Sequence, residues 1–241
     1  MKYIKSILSA LLALVMIFAL AACGSENQTN GTSYGTGSKT GNTAGQSGEI
    51  ESAADNNPDN MSAPSESKAL VVYFSRTGEQ YVVGVIDKGN TAIIAEMIAQ
   101  KTGADLWEVL PADDHYPMKY NELTAVAKKE QNENARPEYK GTVPDLSEYD
   151  TVFIGAPVWW GDWPMIMYTF FEQNRDSLSD KTLIPFSTHE GSGLSGFDRK
   201  LGAAVPVATI GKGIAIRGND AQNSQDSVSK KVADWLEDLG F

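Results

Sequence analysis

The stretch Ala69-Leu70-Val71-Val72-Tyr73-Phe74-Ser75-Arg76-Thr77-Gly78 decides the fold of this chain. Its first six residues are apolar without alternation, and several are β-branched or aromatic, which predicts a strand buried on both faces. Residues 75–78 break the run with hydroxyls, a charge and a glycine, which predicts a turn. A strand buried on both faces needs helices above and below its sheet, so the class is α/β.

Downstream, short apolar runs alternate with amphipathic segments. Further strands are predicted at 106–110, 151–155, 182–186 and, in broken form, 205–216. Helices are predicted at 91–101, 119–134, 164–173 and 224–239. This alternation predicts a parallel sheet of five strands with helices on both faces. Ligands of such sheets bind beyond the carboxyl ends of the strands, where the strand order reverses.

Two segments at the start of the domain predict a phosphate cradle. Residues 75–78 and the helix opening Gly89-Asn90-Thr91 offer hydroxyls and amides at a helix N-terminus. A plainer interpretation stays open, in which Asn90 or Thr91 only caps the helix and Gly89 only makes the turn.

Two glycine-rich segments match nucleotide motifs by letter alone. Residues 84–91 approach the P-loop pattern, but Asn90 stands where the phosphate-binding lysine is required, which argues against ATP. Residues 191–196 fit the dinucleotide pattern, but they follow the fourth strand and not the first. They are interpreted as a glycine loop that lies close to a ligand.

The loop Pro157-Val158-Trp159-Trp160-Gly161 follows the third strand. Two adjacent indoles at a strand end offer a flat apolar surface that suits a planar ring. Because adjacent side chains often point in opposite directions, one indole has a structural alternative as a plug of the core. We expect at least one of them to face a ligand.

The chain has too few cysteines for a disulfide and few histidines for a metal site. The chain has one cysteine, Cys23, so no internal disulfide forms, and its two histidines are far apart in sequence, so a metal site has little support. His189 lies in the fourth loop and is a candidate for ligand or substrate contact. The segment His115-Tyr116-Pro117 is predicted to be a surface turn.

The first 68 residues predict export and anchoring. Residues 1–22 combine two early lysines with an apolar run, which predicts a signal peptide. The run closes on Leu20-Ala21-Ala22-Cys23, which resembles the lipobox of bacterial lipoproteins, so Cys23 is expected to carry lipid. The alternatives are an ordinary cleaved signal with a chance cysteine, or an uncleaved anchor. The remainder of 23–68 is rich in Gly, Ser, Asn and Thr and predicts a disordered tether. The expected location is the outer face of the cell membrane.

The formal net charge of −11 argues against nucleic acid as a partner. It is compatible with docking to basic redox partner proteins, but such a charge is also common in soluble proteins, and that plainer interpretation is favoured.

Taken together, the three loops of residues 69–241 resemble the flavodoxin family. The resemblance implies a doubly wound sheet with strand order 2-1-3-4-5 and noncovalent FMN binding. It places the FMN phosphate on the first loop, one face of the ring on the third-strand loop and the ring edge on the fourth-strand loop. The residues so implied are Ser75, Arg76, Thr77, Gly78, Asn90 and Thr91; Pro157, Val158, Trp159, Trp160 and Gly161; and Ser187, Thr188, His189, Glu190, Gly191 and Gly193.

The chain departs from the family pattern at one place. The usual phosphate loop runs Thr-Gly-Asn-Thr without interruption, whereas here residues 79–89 separate Thr77-Gly78 from Asn90-Thr91. Residues 80–87 of this insertion are predicted to form a small hairpin.

The leading expectation is a lipid-anchored, FMN-dependent electron carrier. One alternative is an NAD(P)H-dependent quinone or flavin oxidoreductase on the same fold. Another is a lipoprotein without redox function that has lost FMN and kept the fold as a binding module.

Overall fold

Strand β1 (Ala69–Tyr73) lies inside the central sheet and is buried along its whole length. The computed structural model describes residues 68–241. Val71 and Tyr73 point into one apolar cluster, whereas Leu70 and Val72 point into a second cluster on the other face. Both faces of β1 therefore need apolar side chains, which explains why its sequence does not alternate.

The described part of the chain contains ten strands and seven α-helices. The strands are β1 (Ala69–Tyr73), β2 (Gly78–Gln80), β3 (Gly84–Ile86), β4 (Asp105–Glu108), β5 (Leu110–Pro111), β6 (Tyr139–Lys140), β7 (Thr151–Pro157), β8 (Thr182–His189), β9 (Thr209–Ile210) and β10 (Ile214–Arg217). The helices are α1 (Asn90–Thr102), α2 (Tyr120–Glu133), α3 (Met165–Gln173), α4 (Arg175–Leu178), α5 (Phe197–Ala204), α6 (Gly218–Asn223) and α7 (Gln225–Leu239), with a short 3₁₀ helix at Leu146–Glu148. The four long predicted helices all form, and their ends differ from the prediction by no more than one residue.

The central sheet runs β4-β1-β7-β8-β10, and all its pairs are parallel. Counted over the five predicted strands, this is the order 2-1-3-4-5, so the predicted doubly wound topology is confirmed. The chain moves outward in opposite directions from β1 and β7. The switch point of the sheet, where ligands bind in such folds, therefore lies between these two strands.

Helices cover the sheet on both faces, and each layer has its own core. Helices α1, α6 and α7 pack on the face that includes Phe153 and Phe186. Helices α2, α3 and α5 pack on the other face, around residues that include Phe74, Trp163 and Phe170. With each fully buried side chain of this size worth about 2 kcal/mol, the two cores hold the strand ends in fixed positions.

The fifth strand differs from the prediction of 205–216. Residues 205–208 lie outside any strand, β9 pairs only with the start of β8, and β10 pairs with its end. At Gly213 a side chain would lie 2.6 Å from the carbonyl oxygen of Pro185, so the connection between the two pieces runs too close to β8 for anything but glycine. The prediction also missed the short helices α4, α5 and α6.

The predicted hairpin in the insertion is confirmed. Strands β2 and β3 pair in antiparallel register, with Gly78 opposite Ile86 and Gln80 opposite Gly84. A second small antiparallel pair, β5 with β6, was not predicted. It splits the predicted strand 106–110 into β4 and the beginning of β5.

The predicted surface turn at 115–117 is wrong for its central residue. Tyr116 is only 3% exposed, and its ring contacts those of Phe74 and Trp159. The side chain of His115 is partly exposed, at 40%. The side chain of Tyr116 packs in the core, which the local sequence of the turn did not predict.

Among residues 68–241, no helix is long and apolar enough to span a membrane. No group of three or more His, Cys, Asp or Glu side chains in that range is arranged to hold a metal ion. The predicted signal peptide, the lipidated Cys23 and the tether up to residue 67 lie outside the described residues.

Candidate functional site

A cavity of about 330 Å³ opens at the carboxyl ends of β1, β7 and β8. Its position is the one expected for a ligand at the switch point of a doubly wound sheet. Side chains from the strand-end loops, from the β2–β3 hairpin and from α2 line it. They are Ser75, Arg76, Gln80, Tyr81, Asn90, Thr91, Tyr120, Leu123, Thr124, Ala127, Pro157, Val158, Trp159, Trp160, Thr188, His189, Glu190, Gly191 and Ser192.

The structure brings together residues from all three predicted binding loops. The predicted residues that line the cavity are Ser75, Arg76, Asn90, Thr91, Pro157, Val158, Trp159, Trp160, Thr188, His189, Glu190 and Gly191. Those that do not are Thr77, Gly78, Gly161, Ser187 and Gly193. Their contacts with FMN stay a prediction.

Several predicted residues that do not line the cavity shape its loops instead. Ser187 is fully buried, and its hydroxyl donates to the carbonyl oxygen of Gly193 at 3.0 Å, which fixes the loop after β8. Gly78 has φ +87°, and a side chain there would lie 2.7 Å from the carbonyl oxygen of Met118. The hairpin and the segment before α2 therefore pack too closely at Gly78 to leave room for a side chain.

Helix α1 opens towards the cavity without a side-chain cap at Gly89. The hydroxyl of Ser75 accepts a hydrogen bond from the amide of Ala92 at 3.1 Å, and a side chain at Gly89 would collide with that hydroxyl. Beside this helix end, the hydroxyls of Thr91 and Thr188 are 2.7 Å apart. A helix N-terminus whose cap residue has no side chain, and which lies next to hydroxyl groups, has the chemistry of an anion site.

Arg76 is less available to an anion than its position in the first loop implies. Its Nη1 contacts the carboxylate of Asp114 at 2.7 Å, and its Nη2 donates to the carbonyl oxygen of Tyr116 at 2.8 Å. The side chain is only 10% exposed. Its charge is therefore balanced by Asp114, while its buried Nε has no hydrogen-bond partner among the described residues.

The two tryptophans that line the cavity, Trp159 and Trp160, have different surroundings. Trp159 packs edge to face against Phe74 and Tyr116, with ring centroids 5.3 Å away in both cases, so part of it belongs to the core. Trp160 is 54% exposed, and its indole N–H donates to the carbonyl oxygen of Thr124 in α2 at 2.8 Å. The structural interpretation is therefore partly correct for Trp159, while contact of either ring with a ligand stays a prediction.

Trp160 and Gly161 form the centre of a tight turn. The backbones of Trp159 and Asp162 exchange two hydrogen bonds, and φ is positive at both central residues, as in a type I′ turn. The ammonium of Lys200 donates to the carbonyl oxygen of Gly161 at 2.5 Å and lies 3.0 Å from the Asp162 carboxylate. Sequence reasoning missed Lys200, which comes from the unpredicted helix α5.

His189 is held in one tautomer by the backbone. Its Nδ1 accepts a hydrogen bond from the amide of Gly191 at 2.9 Å, so the neutral ring carries its proton on Nε2. Burial lowers the pKa of His189, and the cations Lys231 and Arg217 also oppose protonation, against the pull of Glu190 and Asp220. The ring therefore presents a neutral N–H donor.

Glu190 lines the cavity, but both of its oxygens face protein groups. One accepts from the amide of Asn219 at 2.7 Å, near the start of α6, and the other is 3.5 Å from the guanidinium of Arg217. Asn90 is similarly engaged, since its side-chain oxygen accepts from Gln222 at 2.8 Å. These contacts tie the cavity loops to α6.

The cavity also includes residues that sequence reasoning did not select. Four of them, Tyr120, Leu123, Thr124 and Ala127, have the spacing of one helical face, and Gln80 and Tyr81 come from the hairpin. Helix α2 was predicted, but the sequence does not say that this face meets the strand-end loops.

Residues 68–239 match the model of the family described as Flavodoxin. No curated protein matches the chain.

Solved structures share the fold over most of the described residues. A candidate flavoprotein from Bacteroides eggerthii is 29% identical over 73% of this chain and 99% of its own, with a TM-score of 0.56. A candidate flavoprotein from Bacteroides uniformis is 28% identical over 71% of this chain and 98% of its own, with a TM-score of 0.55. A Lactobacillus acidophilus flavoprotein in complex with FMN is 20% identical over 66% and 97%, with a TM-score of 0.50, and shows the fold alone.

Proposed function

Because this chain belongs to the flavodoxin family, we propose that it binds FMN without a covalent bond and transfers electrons at the outer face of the cytoplasmic membrane. A lipid on Cys23 anchors it there. The observation that carries the proposal is the strand-end cavity, which combines the N-terminus of α1 and its neighbouring hydroxyls with the rings of Trp159 and Trp160.

The residues of the cavity fit both ends of FMN. The first turn of α1 and the hydroxyls of Ser75 and Thr91 suit a phosphate. The buried Nε of Arg76, which lacks a partner among the described residues, is a donor that a ligand oxygen would satisfy. Trp159, Trp160 and Val158 offer an apolar surface to a planar ring.

FMN supplies the redox chemistry when it is bound, because it takes up and gives away electrons singly or in pairs. The chain's own residues bind and orient it. His189 presents a neutral Nε2–H donor at the cavity, and Trp159 and Trp160 exclude water from the surface that they cover. Fixed groups of this kind tune a bound ring without moving themselves.

The Lactobacillus acidophilus protein with the same fold holds FMN, which supports the choice of this flavin. The anchoring part of the proposal rests on the lipobox-like Leu20-Ala21-Ala22-Cys23 and on the polar composition of the segment that follows. As a flexible coil, that segment would let the domain extend away from the membrane over a distance set by the number of residues in the segment.

The proposal is tested by comparing FMN with riboflavin, which has the same ring and no phosphate. The full chain in a mild detergent is titrated with each flavin, and binding is measured from the heat released. We expect FMN to bind at least about tenfold more tightly, because the α1 N-terminus and its hydroxyls have no partner in riboflavin.

Ser75→Ala should weaken FMN binding and leave riboflavin binding unchanged. The matched control is Thr209→Val, an exposed hydroxyl at the opposite, amino-terminal end of β8. Failure of the unmodified chain to retain either flavin would contradict the proposal and leave a binding module with the family fold.

A further inference from the structure

The strand-end loops do not account for the whole lining of the cavity. The inner part presents the hydroxyls and amides described above. Further lining comes from the hairpin insertion and α2, joined by Trp160, which donates its indole N–H to α2. We call this second part the aromatic wall, and its members are Tyr81, Tyr120, Leu123, Ala127 and Trp160.

The aromatic wall is built into the fold. The rings of Tyr81 and Tyr120 stack with centroids 5.5 Å apart and planes tilted by 29°. Glu79 joins the hairpin to α2 from both sides, since its carboxylate accepts from the amide of Tyr120 at 3.0 Å and its own amide donates to the carbonyl oxygen of Met118 at 2.8 Å. A preformed wall costs little ordering entropy when a ligand binds.

The wall is open to solvent at its outer edge. Tyr81 is 68% exposed and Trp160 is 54% exposed, whereas Leu123 and Ala127 are buried. Exposed aromatic surface that continues into a cavity is typical of a binding site and is unusual on a face that has only to be soluble. A second molecule could therefore reach the wall directly from solvent.

The charges along the cavity restrict the ligand. Every side chain of the aromatic wall is uncharged. Among the described residues that line the cavity, Arg76 alone carries a permanent positive charge, and Asp114 balances it at 2.7 Å. A pyrophosphate, as in NAD(P)H, would have no unpaired cation to bind in this cavity.

We propose that the aromatic wall is a binding subsite for a second, uncharged planar aromatic molecule of the quinone class. This inference rests on the proposed function, because such a molecule would be the electron acceptor beside bound FMN. The stacked pair Tyr81 and Tyr120 supplies the aromatic contact, and the side-chain amide of Gln80, which also lines the cavity, is a hydrogen-bond donor for a carbonyl oxygen.

The test uses the full chain in a mild detergent, loaded with FMN and titrated with 2-methyl-1,4-naphthoquinone against a detergent blank. Flavin absorbance of the same sample shows whether FMN is retained before the quinone is added. We expect the quinone to bind, and its affinity to fall about fivefold in Tyr81→Ala and in Tyr120→Ala, the loss expected for one aromatic contact. Tyr81→Phe keeps the ring and should retain most of the affinity.

Val85→Ala is the matched control, because Val85 lies in the same hairpin, is 79% exposed and does not line the cavity. It should bind the quinone as the unmodified chain does. Lys128 lies 5.2 Å from the centroid of the Trp160 ring but does not line the cavity. The anionic probe 1,4-naphthoquinone-2-sulfonate should therefore bind no more tightly than the neutral quinone.

Three outcomes would overturn the inference. Retained FMN with no quinone binding would remove the subsite and leave the proposed function intact. Loss of FMN affinity in Tyr81→Ala, equal to the loss of quinone affinity, would assign the wall to the FMN site. A chain that retains no FMN at all would refute the proposed function and this inference with it, and the missing flavin absorbance would identify that case.

Discussion

At the scale of single residues, the cavity depends on polar groups that satisfy one another at its floor. Thr91 and Thr188 are 1% and 3% exposed, and each hydroxyl has the other as its partner at 2.7 Å. They come from α1 and from β8, which are 97 residues apart along the chain. A hydroxyl pair of this kind therefore connects the two loops that flank the candidate phosphate site.

Replacing one of these threonines with valine should destabilise the protein by about 1–2 kcal/mol, because the remaining buried hydroxyl loses its partner. The double variant Thr91→Val with Thr188→Val should lose less than the sum of the two single variants. Urea unfolding without added flavin measures the three values. Strict additivity would show that the two hydroxyls are not coupled.

A second residue-scale feature is the cluster of His115 with Glu130. Nε2 of His115 lies 2.7 Å from the carboxylate of Glu130, which also accepts from the hydroxyl of Tyr116 at 3.1 Å. Partial burial alone would lower the pKa of His115, but the hydrogen bonds and charges of Glu130 and Asp113 raise it above its usual value. The folded state therefore favours the imidazolium.

A raised pKa predicts that this pair stabilises the fold below about pH 6.5, the usual histidine value, and that the gain disappears as the pH rises through the folded pKa. His115→Gln should therefore be less stable than the unmodified chain at pH 5.5, by under about 1 kcal/mol because the ring is partly exposed. The difference should vanish towards pH 8. Unfolding curves across that range measure it.

His189 provides the contrast, because burial lowers its pKa. A lowered pKa makes the unmodified chain lose stability as the pH falls below about 6.5, since the unfolded state takes up the proton more readily. His189→Gln should therefore become relatively more stable at low pH. The same sign for both variants would contradict this account of the two rings.

At the scale of elements, the hairpin insertion is docked on the segment before α2. Gly78 begins β2 at the base of the hairpin and Gly84 begins β3 directly after the turn, and the two have nearly the same conformation, with φ +87° and +82°. A side chain at Gly78 would lie 2.7 Å from the carbonyl oxygen of Met118, whereas a side chain at Gly84 would meet no atom within 4 Å. Substituting each glycine in turn therefore distinguishes the cost of backbone strain from the cost of moving the hairpin away from Met118.

Gly84→Ala should cost about 1 kcal/mol through its left-handed backbone alone. Gly78→Ala should cost more, about 2–3 kcal/mol, because the hairpin must also move away from Met118. Hydrogen exchange should then become faster at the amide of Tyr120, which donates to Glu79 in the hairpin. Equal effects of the two substitutions would show that the hairpin is not held at Gly78.

At the scale of the whole molecule, the proposed position at the membrane depends on the sulfur atom of Cys23, to which the lipid would be attached. Cys23 is the only cysteine in the chain, and the formal net charge of −11 gives no attraction to an anionic membrane surface. We therefore expect Cys23→Ser to abolish labelling with a radioactive fatty acid. Ser25→Ala, two residues away, should keep the label.

The sequence by itself determined the first four strands of the central sheet, the four long helices and the class of the fold. The unbroken apolar run of β1, the helical spacing in α1 and α7 and the glycine loops were all readable, because local periodicity decides which face of an element is buried. With the family resemblance they led to the strand order, which the structure confirmed.

Only the tertiary structure decided how the cavity is completed. Arg76 is paired with Asp114, Glu190 with the start of α6, and one face of α2 became part of the wall. The partners of these residues are 38 and 29 positions away in sequence. No local pattern encodes such contacts, because they arise when separate elements pack around the shared core and bring distant side chains to the same strand ends.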